Sequence, residues 1–198
     1  PIPTRSVEQY QRIAFFGKKY PQYALTTNGG ILLYENKIEK NWFFQTKQMI
    51  KFSEGELEKA KEILKKDSAV CFEIRKVDDI FVYTKSTDPQ KTAKRLSGQL
   101  NLERVFVDTN GEKIYVFPKI LHKGLAIKRL KHFLQCGVVF SAGDSGFDIP
   151  MLEEADISYW SGKQKLNMKK GICHVYQKDV TNFGEYVLTE IEKQVIKV

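Results

Sequence analysis

The stretch Val138–Leu152, VVFSAGDSGFDIPML, constrains the fold of this chain more than any other. It opens on apolar, partly β-branched residues, breaks at Gly143 and then delivers Asp144 and Asp148. An apolar run that ends in small residues reads as a buried strand. Gly-Asp-Ser-Gly reads as a turn just past the strand's carboxyl end, where open α/β sheets place their ligands. Two carboxylates four positions apart on such a turn can hold a hard divalent cation through oxygen. The same spacing suits a helix that starts near Ser145 under an Asp cap, with Asp148 in solvent. On these residues alone both readings stand.

The stretch just upstream weighs on that choice. Ile120–Leu134, ILHKGLAIKRLKHFL, sets a lysine before a glycine at the head of a helical pattern, with Leu125, Leu130, Phe133 and Leu134 as its apolar stripe. Lys-Gly before a helix, then a strand ending in GDSxxDxPML, resembles the phosphatases of the haloacid dehalogenase superfamily. The resemblance implies that Lys123 is the third signature motif and that Asp144 and Asp148 form the fourth. It also implies a second-motif hydroxyl at Thr4, directly before Arg5 and one position from the family's usual spacing. Asn28 of the Asn28-Gly29 turn would lie near the mouth of the site. On this reading Lys123 and Thr4 are catalytic, Arg5 and Asn28 bind substrate, and Asp144 and Asp148 hold Mg²⁺. Thr4 equally suits a turn hydroxyl bonded to backbone, and Asn28 a residue supplying positive φ.

The family's first motif is Asp-x-Asp on its first strand, one Asp attacking phosphorus and the other serving as acid and base. No Asp-x-Asp occurs in these 198 residues. The expectation is an N-terminal strand and helix ahead of Pro1, since a parallel sheet without its first strand exposes an apolar edge. Phe147 stands where many relatives have Asn, and the segment after Leu152 lacks the Gly/Asn/Ala-rich turn of the commonest subgroup. Both departures leave the substrate open.

Between these motifs the chain repeats itself. Ser6 and Gln9 suit a capping box for a helix of about ten residues, and Tyr23–Thr26 reads as a short strand before the Asn28-Gly29 hairpin turn. Ser53–Lys66 is an amphipathic helix with Ser53 and Glu56 as its capping box and Leu57, Ala60, Ile63 and Leu64 inward. Strands follow over Ala69–Arg75 and Ile80–Lys85. Asp88-Pro89 opens another helix, and strands over Arg104–Asp108 and Lys113–Phe117 flank Asn110-Gly111. That is αββ twice, which builds a four-stranded antiparallel sheet with two helices on one face. The expected fold is therefore α/β, with a Rossmann-like parallel-sheet core over 1–36 and 118–198 and an inserted α+β cap of αββ repeats over 37–117. Beyond Leu152, Ile157–Trp160 and Ile172–Tyr176 read as strands, and Asn182 with Glu185 caps a last helix. His122, His132 and His174 read as packed or edge residues, and His122, beside Lys123, also suits a place at the site mouth.

A chain of this size makes one large domain or two small ones, and its 42% hydrophobic and 28% charged residues are ordinary for a globular protein. No apolar run approaches the roughly 18 residues of a membrane span, and no secretory segment opens the chain. Cys71, Cys136 and Cys173 are far apart and odd in number, which points to a reducing cytoplasm. The net charge of +8 is spread over the chain and often paired, as in EGELEKAKEILKK, the pattern of solvated helix faces. It suits an enzyme that steers an anion, and no basic-aromatic motif supports nucleic-acid binding. The resemblance then implies a Mg²⁺-dependent phosphomonoester hydrolase. Its substrate is a small phosphorylated metabolite such as a sugar phosphate, and it works through an aspartyl-phosphate formed on an Asp N-terminal to Pro1. A catalytically inactive relative that binds a phosphorylated ligand or a protein, and a sugar-phosphate mutase, are the alternatives.

Overall fold

The computed structural model describes residues 1–13, 20–163, 166, 168, 171–176 and 182–195. They fall into two compact units, Pro1–Leu121 and His122–Val198.

The first unit opens with an extended segment and a short helix, α1 (Val7–Gln11). The expected capping box is present: Ser6 Oγ accepts from Gln9 N at 3.1 Å and Ser6 N donates to Gln9 Oε1 at 3.2 Å. Residues 14–19, onto which a ten-residue helix would run, lie outside the described residues. Next, β1 (Tyr23–Thr26) and β2 (Ile31–Tyr34) form an antiparallel hairpin, with β3 (Lys37–Ile38) on the outer side of β2. A 3-10 turn over Thr27–Gly29 joins β1 to β2. Its left-handed backbone at Thr27, Asn28 and Gly29 is the conformation that Asn and Gly tolerate and Thr resists.

Helix α2 (Lys40–Ile50), which the repeat pattern did not announce, is capped by Glu39, whose carboxylate accepts from Asn41 N and Trp42 N. It leads into α3 (Glu54–Lys65). Ser53 precedes α3 without capping it; its hydroxyl donates instead to the Arg104 carbonyl at 2.7 Å. With a 3-10 turn over Lys51–Ser53 joining α2 to α3, backbone at Ser53 is already helical, so a capping side chain has no free turn to close.

The two αββ units then appear as β4 (Arg75–Val77), β5 (Phe81–Lys85), α4 (Pro89–Ser97), β6 (Val105–Asn110) and β7 (Lys113–Pro118). They make one antiparallel sheet of order β4-β5-β7-β6, separate from the hairpin sheet. The strand expected over Ala69–Arg75 is mostly irregular: only Val70 bridges to Ser86, and the ladder starts at Arg75. Thr84 donates its hydroxyl to the Phe72 carbonyl, a side-chain bond that takes the place of a ladder bond. Asp88 caps α4 through Lys91 N, with Pro89 at the first helical position. Leu57, Ala60 and Leu64 of α3 and Leu96 of α4 bury against Val82, Val105, Ile114 and Val116 on one face of the sheet. Each leucine, valine or isoleucine so buried contributes on the order of 1.5–3 kcal/mol.

The second unit is a parallel α/β layer. It runs α5 (Lys123–Leu134), β8 (Phe140–Gly143), a 3-10 turn at Gly146–Asp148, α6 (Ile149–Glu154), β9 (Ile157–Trp160), β10 (Ile172–Val175) and α7 (Phe183–Val195). Sheet order is β10-β9-β8, all parallel. Asn182 caps α7 as expected, accepting from Glu185 N at 2.9 Å. Leu152, Tyr159 and Trp160 are buried at the centre of the layer. No helix among the described residues is long and apolar enough to cross a membrane.

Candidate active site

In the second unit the Gly143–Asp148 turn sits directly at the carboxyl end of β8. Gly143 must lack a Cβ there, because one would overlap the Asp148 side chain. Asp148 folds back under the turn. Its Oδ2 accepts from Ser145 Oγ at 2.9 Å, Ser145 N at 3.2 Å and Asp144 N at 3.3 Å. Its Oδ1 meets Lys123 Nζ at 2.6 Å. Lys123 and Asp148 are only 8% and 7% exposed, so the pair is shielded from solvent. Burial alone pushes the Asp148 carboxyl up, but the Lys123 charge and hydrogen bonds from Lys123 and Ser145 outweigh it and hold the group below the usual carboxylate range.

Lys123 is the first residue of α5, and the helix start is built around it. His122 is the N-cap, its Nδ1 accepting from Leu125 N at 3.3 Å. That bond needs a neutral ring, and burial pushes the His122 pKa down, with Glu154 opposing and Lys128 adding to the shift. Gly124 lets α5 approach α6: a Cβ there would stand 2.5 Å from the Pro150 carbonyl oxygen. The lysine is thus fixed from both sides, by its cap and by the carboxylate beneath it. Asp144, by contrast, is exposed. Among the described residues its side chain enters no ion pair or hydrogen bond, and no three His, Cys, Asp or Glu side chains gather where they could hold a metal ion.

The remaining expected site residues lie in the first unit. The segment of Thr4 and Arg5 runs beside β1, with Leu25 N, Asn28 N and Thr27 N donating to the carbonyls of Pro1, Pro3 and Arg5. Thr4 and Asn28 are thereby brought into one neighbourhood. Asn28 is 2% exposed. Its Nδ2 donates to the Leu121 carbonyl at 3.1 Å, while its Oδ1 is buried with no partner among the described residues. An orphaned acceptor costs about 1–3 kcal/mol and fits a water or a ligand hydroxyl.

Two contributors escaped the motif reading. Ser145 was legible in principle, since Ser-x-x-Asp ahead of an apolar run is a capping-box pattern. Asp78 was not. Its Oδ2 accepts from Thr27 Oγ1 at 2.6 Å and from Val7 N at 3.0 Å, and no sequence signal joins residues so far apart.

A sequence model of the haloacid dehalogenase-like hydrolases matches residues 4–181. The chain belongs to this family. As a haloacid dehalogenase-like hydrolase it shares its fold with proteins of low sequence identity. The sucrose-phosphatase from Synechocystis, solved in complex with sucrose and phosphate, has a TM-score of 0.68 at 16% identity, with 96% of this chain and 82% of that one covered. A protein from Thermotoga maritima gives a TM-score of 0.62 at 15% identity, over 94% and 82% of the two chains. A haloacid dehalogenase-like hydrolase from B. subtilis gives 0.58 at 14%, over 96% and 85%. No curated protein matches the chain. The α/β fold, a parallel layer accompanied by an antiparallel sheet of αββ repeats, is the one the motifs implied.

Proposed function

We propose that the protein is a Mg²⁺-dependent phosphomonoester hydrolase of small phosphorylated metabolites, with sugar phosphates as the substrate class. The observation that carries this reading is the buried Lys123–Asp148 pair at 2.6 Å beneath a turn that leaves Asp144 free. Family membership supports hydrolysis, and the resemblance to a sucrose-phosphatase supports the substrate class. Lys123 donates to the phosphate oxygens and to the attacking carboxylate, a preorganised cation that needs no reorganisation as charge develops. Asp148 holds Lys123 in place and supports the metal site through a bound water, since both its oxygens already accept protein donors. Asp144 is the direct metal ligand from this chain, and a single carboxylate suffices because Mg²⁺ retains several waters. When bound, the ion neutralises phosphate oxygens and orients them for in-line attack. Thr4 hydrogen-bonds a phosphate oxygen, and Arg5 and Asn28 serve the substrate, the latter through its unpartnered Oδ1.

On this reading the reaction passes through an aspartyl-phosphate, and the family's Asp-x-Asp is not among residues 1–198. The segment 37–117 acts as a cap whose closure excludes water from the phosphoester. A second reading follows from the absence of Asp-x-Asp in these residues: without such a strand the protein binds phosphorylated ligands and does not turn them over. The test is an assay of the complete gene product on a panel of sugar phosphates with a Mg²⁺ titration, wild type against Asp144→Asn. The expected result is Mg²⁺-dependent phosphate release, with at least a tenfold rise in the half-saturating Mg²⁺ concentration in the variant. An unchanged Mg²⁺ requirement removes Asp144 as ligand, and no release from any substrate favours the binding-only reading.

A further inference from the structure

Helix α2 is held to the first unit along one side. Trp42, Thr46 and Ile50, four residues apart, form its buried stripe, and Trp42 Nε1 donates to the Gly29 carbonyl at 3.1 Å. Side chains at four-residue spacing share a helix face, so this stripe fixes which residues look outward. Those are Lys40, Phe44, Gln45, Gln48 and Lys51, and helical backbone carries on through the 3-10 turn to Phe52. Phe44 and Phe52 are 64% and 78% exposed, the two most exposed aromatic side chains among the described residues.

Packing does not explain this outer face. One exposed phenylalanine is ordinary, but these two repeat on the same side of the helix, about 12 Å apart along its axis. The anchored stripe beneath keeps either ring from turning inward. The charge of the face is one-sided as well. It carries no carboxylate, since Glu39 is taken up in capping α2, where it accepts from Asn41 N and Trp42 N. Among the described residues Lys40 and Lys51 enter no ion pair, whereas Lys47 is held by Asp79 and by Glu54, the latter at 3.7 Å.

We infer that the outer face of α2 docks on an anionic lipid bilayer. The helix lies along the surface, with Phe44 and Phe52 entering the boundary between headgroups and acyl chains and Lys40 and Lys51 meeting the lipid anions. Apolar burial and attraction to anionic lipid together drive such binding. The net charge of +8 adds a longer-range attraction. The shape of the face selects this occupant. Its rings stand out from a convex helix surface and line no groove, so a protein partner would need a matching pocket, whereas a bilayer yields around them. Gln45 and Gln48 between the rings suit the hydrated headgroup layer. The helix has 11 residues, too few to span a membrane. None of the residues assigned to hydrolysis lies on this face, so the two proposals stand or fall separately.

The test is sedimentation of the whole chain with vesicles of phosphatidylcholine alone and of phosphatidylcholine with about one-third phosphatidylserine. Wild type is compared with Phe44→Ser/Phe52→Ser, with Lys40→Gln/Lys51→Gln and, as a control for net charge, with Lys91→Gln/Lys94→Gln on α4. The expected result is binding of wild type to the anionic vesicles only. Partitioning should fall by roughly tenfold or more in the phenylalanine variant and in Lys40→Gln/Lys51→Gln, since each lysine near such a surface contributes about fivefold. The α4 variant should stay within about threefold of wild type, because charges away from the surface are screened, and circular dichroism melts should show every variant folded. Equal partitioning of wild type and the phenylalanine variant overturns the proposal, as does a wild type that stays in the supernatant or binds both vesicles alike. Equal losses in the two lysine variants overturn it too, by reducing the binding to net charge. A concentration-dependent dimer that Phe44→Ser/Phe52→Ser abolishes, without vesicle binding, gives the face to a second copy and overturns it. So does tighter binding to an acidic Glu/Leu peptide than to the vesicles, which gives the face to a protein.

Discussion

Lys123 Nζ, at the start of α5, and Asp148 Oδ1, in the turn after β8, lie 2.6 Å apart in the interior of the second unit. Removing one partner strands the other charge away from water, a loss on the order of 3–5 kcal/mol. Lys123→Ala is therefore expected to lower unfolding free energy by about that amount. Lys123→Met combined with Asp148→Asn should recover most of it while leaving the site without its cation. Lys128→Ala is the control, because its pair with Glu154 is solvent-exposed and such pairs contribute about 0–1 kcal/mol. Urea unfolding of the four proteins checks this, and equal losses at Lys128 and Lys123 would contradict the buried pair. In the complete enzyme, Lys123→Ala is expected to cut turnover by roughly two orders of magnitude or more.

Gly143 stands where the turn must pass over Asp148. Gly143→Ala forces the Asp148 side chain or the turn to shift, at about 1–3 kcal/mol for an overpacked site. Gly137, with open space around it, serves as comparison, and Gly137→Ala is expected to change stability by less than about 0.5 kcal/mol. Thermal melts of both variants decide the matter. Equal melting temperatures would mean the turn tolerates a Cβ and that the glycine is not required by Asp148.

The α5 cap gives the fold an acid sensitivity. His122 accepts a hydrogen bond through Nδ1 and so must be neutral, and its pKa in the folded chain lies below its ordinary value of 6.5. For a base with a depressed folded pKa, the unfolded chain binds the proton first as pH falls. Stability is then full above about pH 6.5 and declines below it. Glu154 and Lys128 bear on the same ring with opposite signs, and burial sets the direction. His122→Asn keeps a capping acceptor and removes the titration. Its melting temperature should depend less on pH than the wild type's between about pH 5 and 7. Parallel curves for the two proteins would exclude His122 as the source.

What the sequence made legible follows the range of the interactions involved. The Gly143–Asp148 turn, the α4 cap at Asp88-Pro89 and the Asn182 cap rest on contacts within a few residues, and all can be read from local patterns. The αββ rhythm was readable because Leu57, Leu64, Leu96, Ile114 and Val116 keep their own periods whatever they pack on. Helix α2 was missed because Trp42, Thr46 and Ile50 are its buried residues, too sparse and too polar a stripe to announce a helix. Ser53 carried a capping signature, yet the preceding helix had already fixed its backbone and its hydroxyl went to Arg104. The Lys123–Asp148 contact was foreseeable from motif order, whereas the Asp78 contacts to Thr27 and Val7 depend on a meeting of turns that only the folded chain reveals.

Those Asp78 contacts tie three pieces of the first unit together. Asp78 and Asp79 form the β4–β5 turn, both in left-handed backbone, as are Thr27 and Asn28 on the turn they meet. Non-glycine residues pay about 1 kcal/mol or more in that conformation, and the shared carboxylate helps hold both turns. The same oxygen receives Val7 N, the first amide of α1, directly after the Thr4–Arg5 segment. Hydrogen bonds to a charged group contribute about 1.5–3 kcal/mol each. Asp78→Ala is thus expected to destabilise by about 2–4 kcal/mol, and Thr27→Val by about 1–2 kcal/mol. Because they share one bond, the double variant should lose at least about 1 kcal/mol less than the sum of the singles. Asp78→Asn retains an acceptor oxygen and should lie between wild type and alanine. Urea unfolding of wild type, Asp78→Ala, Thr27→Val and their double variant yields the coupling directly. Strict additivity would show that the Thr27–Asp78 bond contributes nothing to holding the Thr4 segment beside the Asn28 turn.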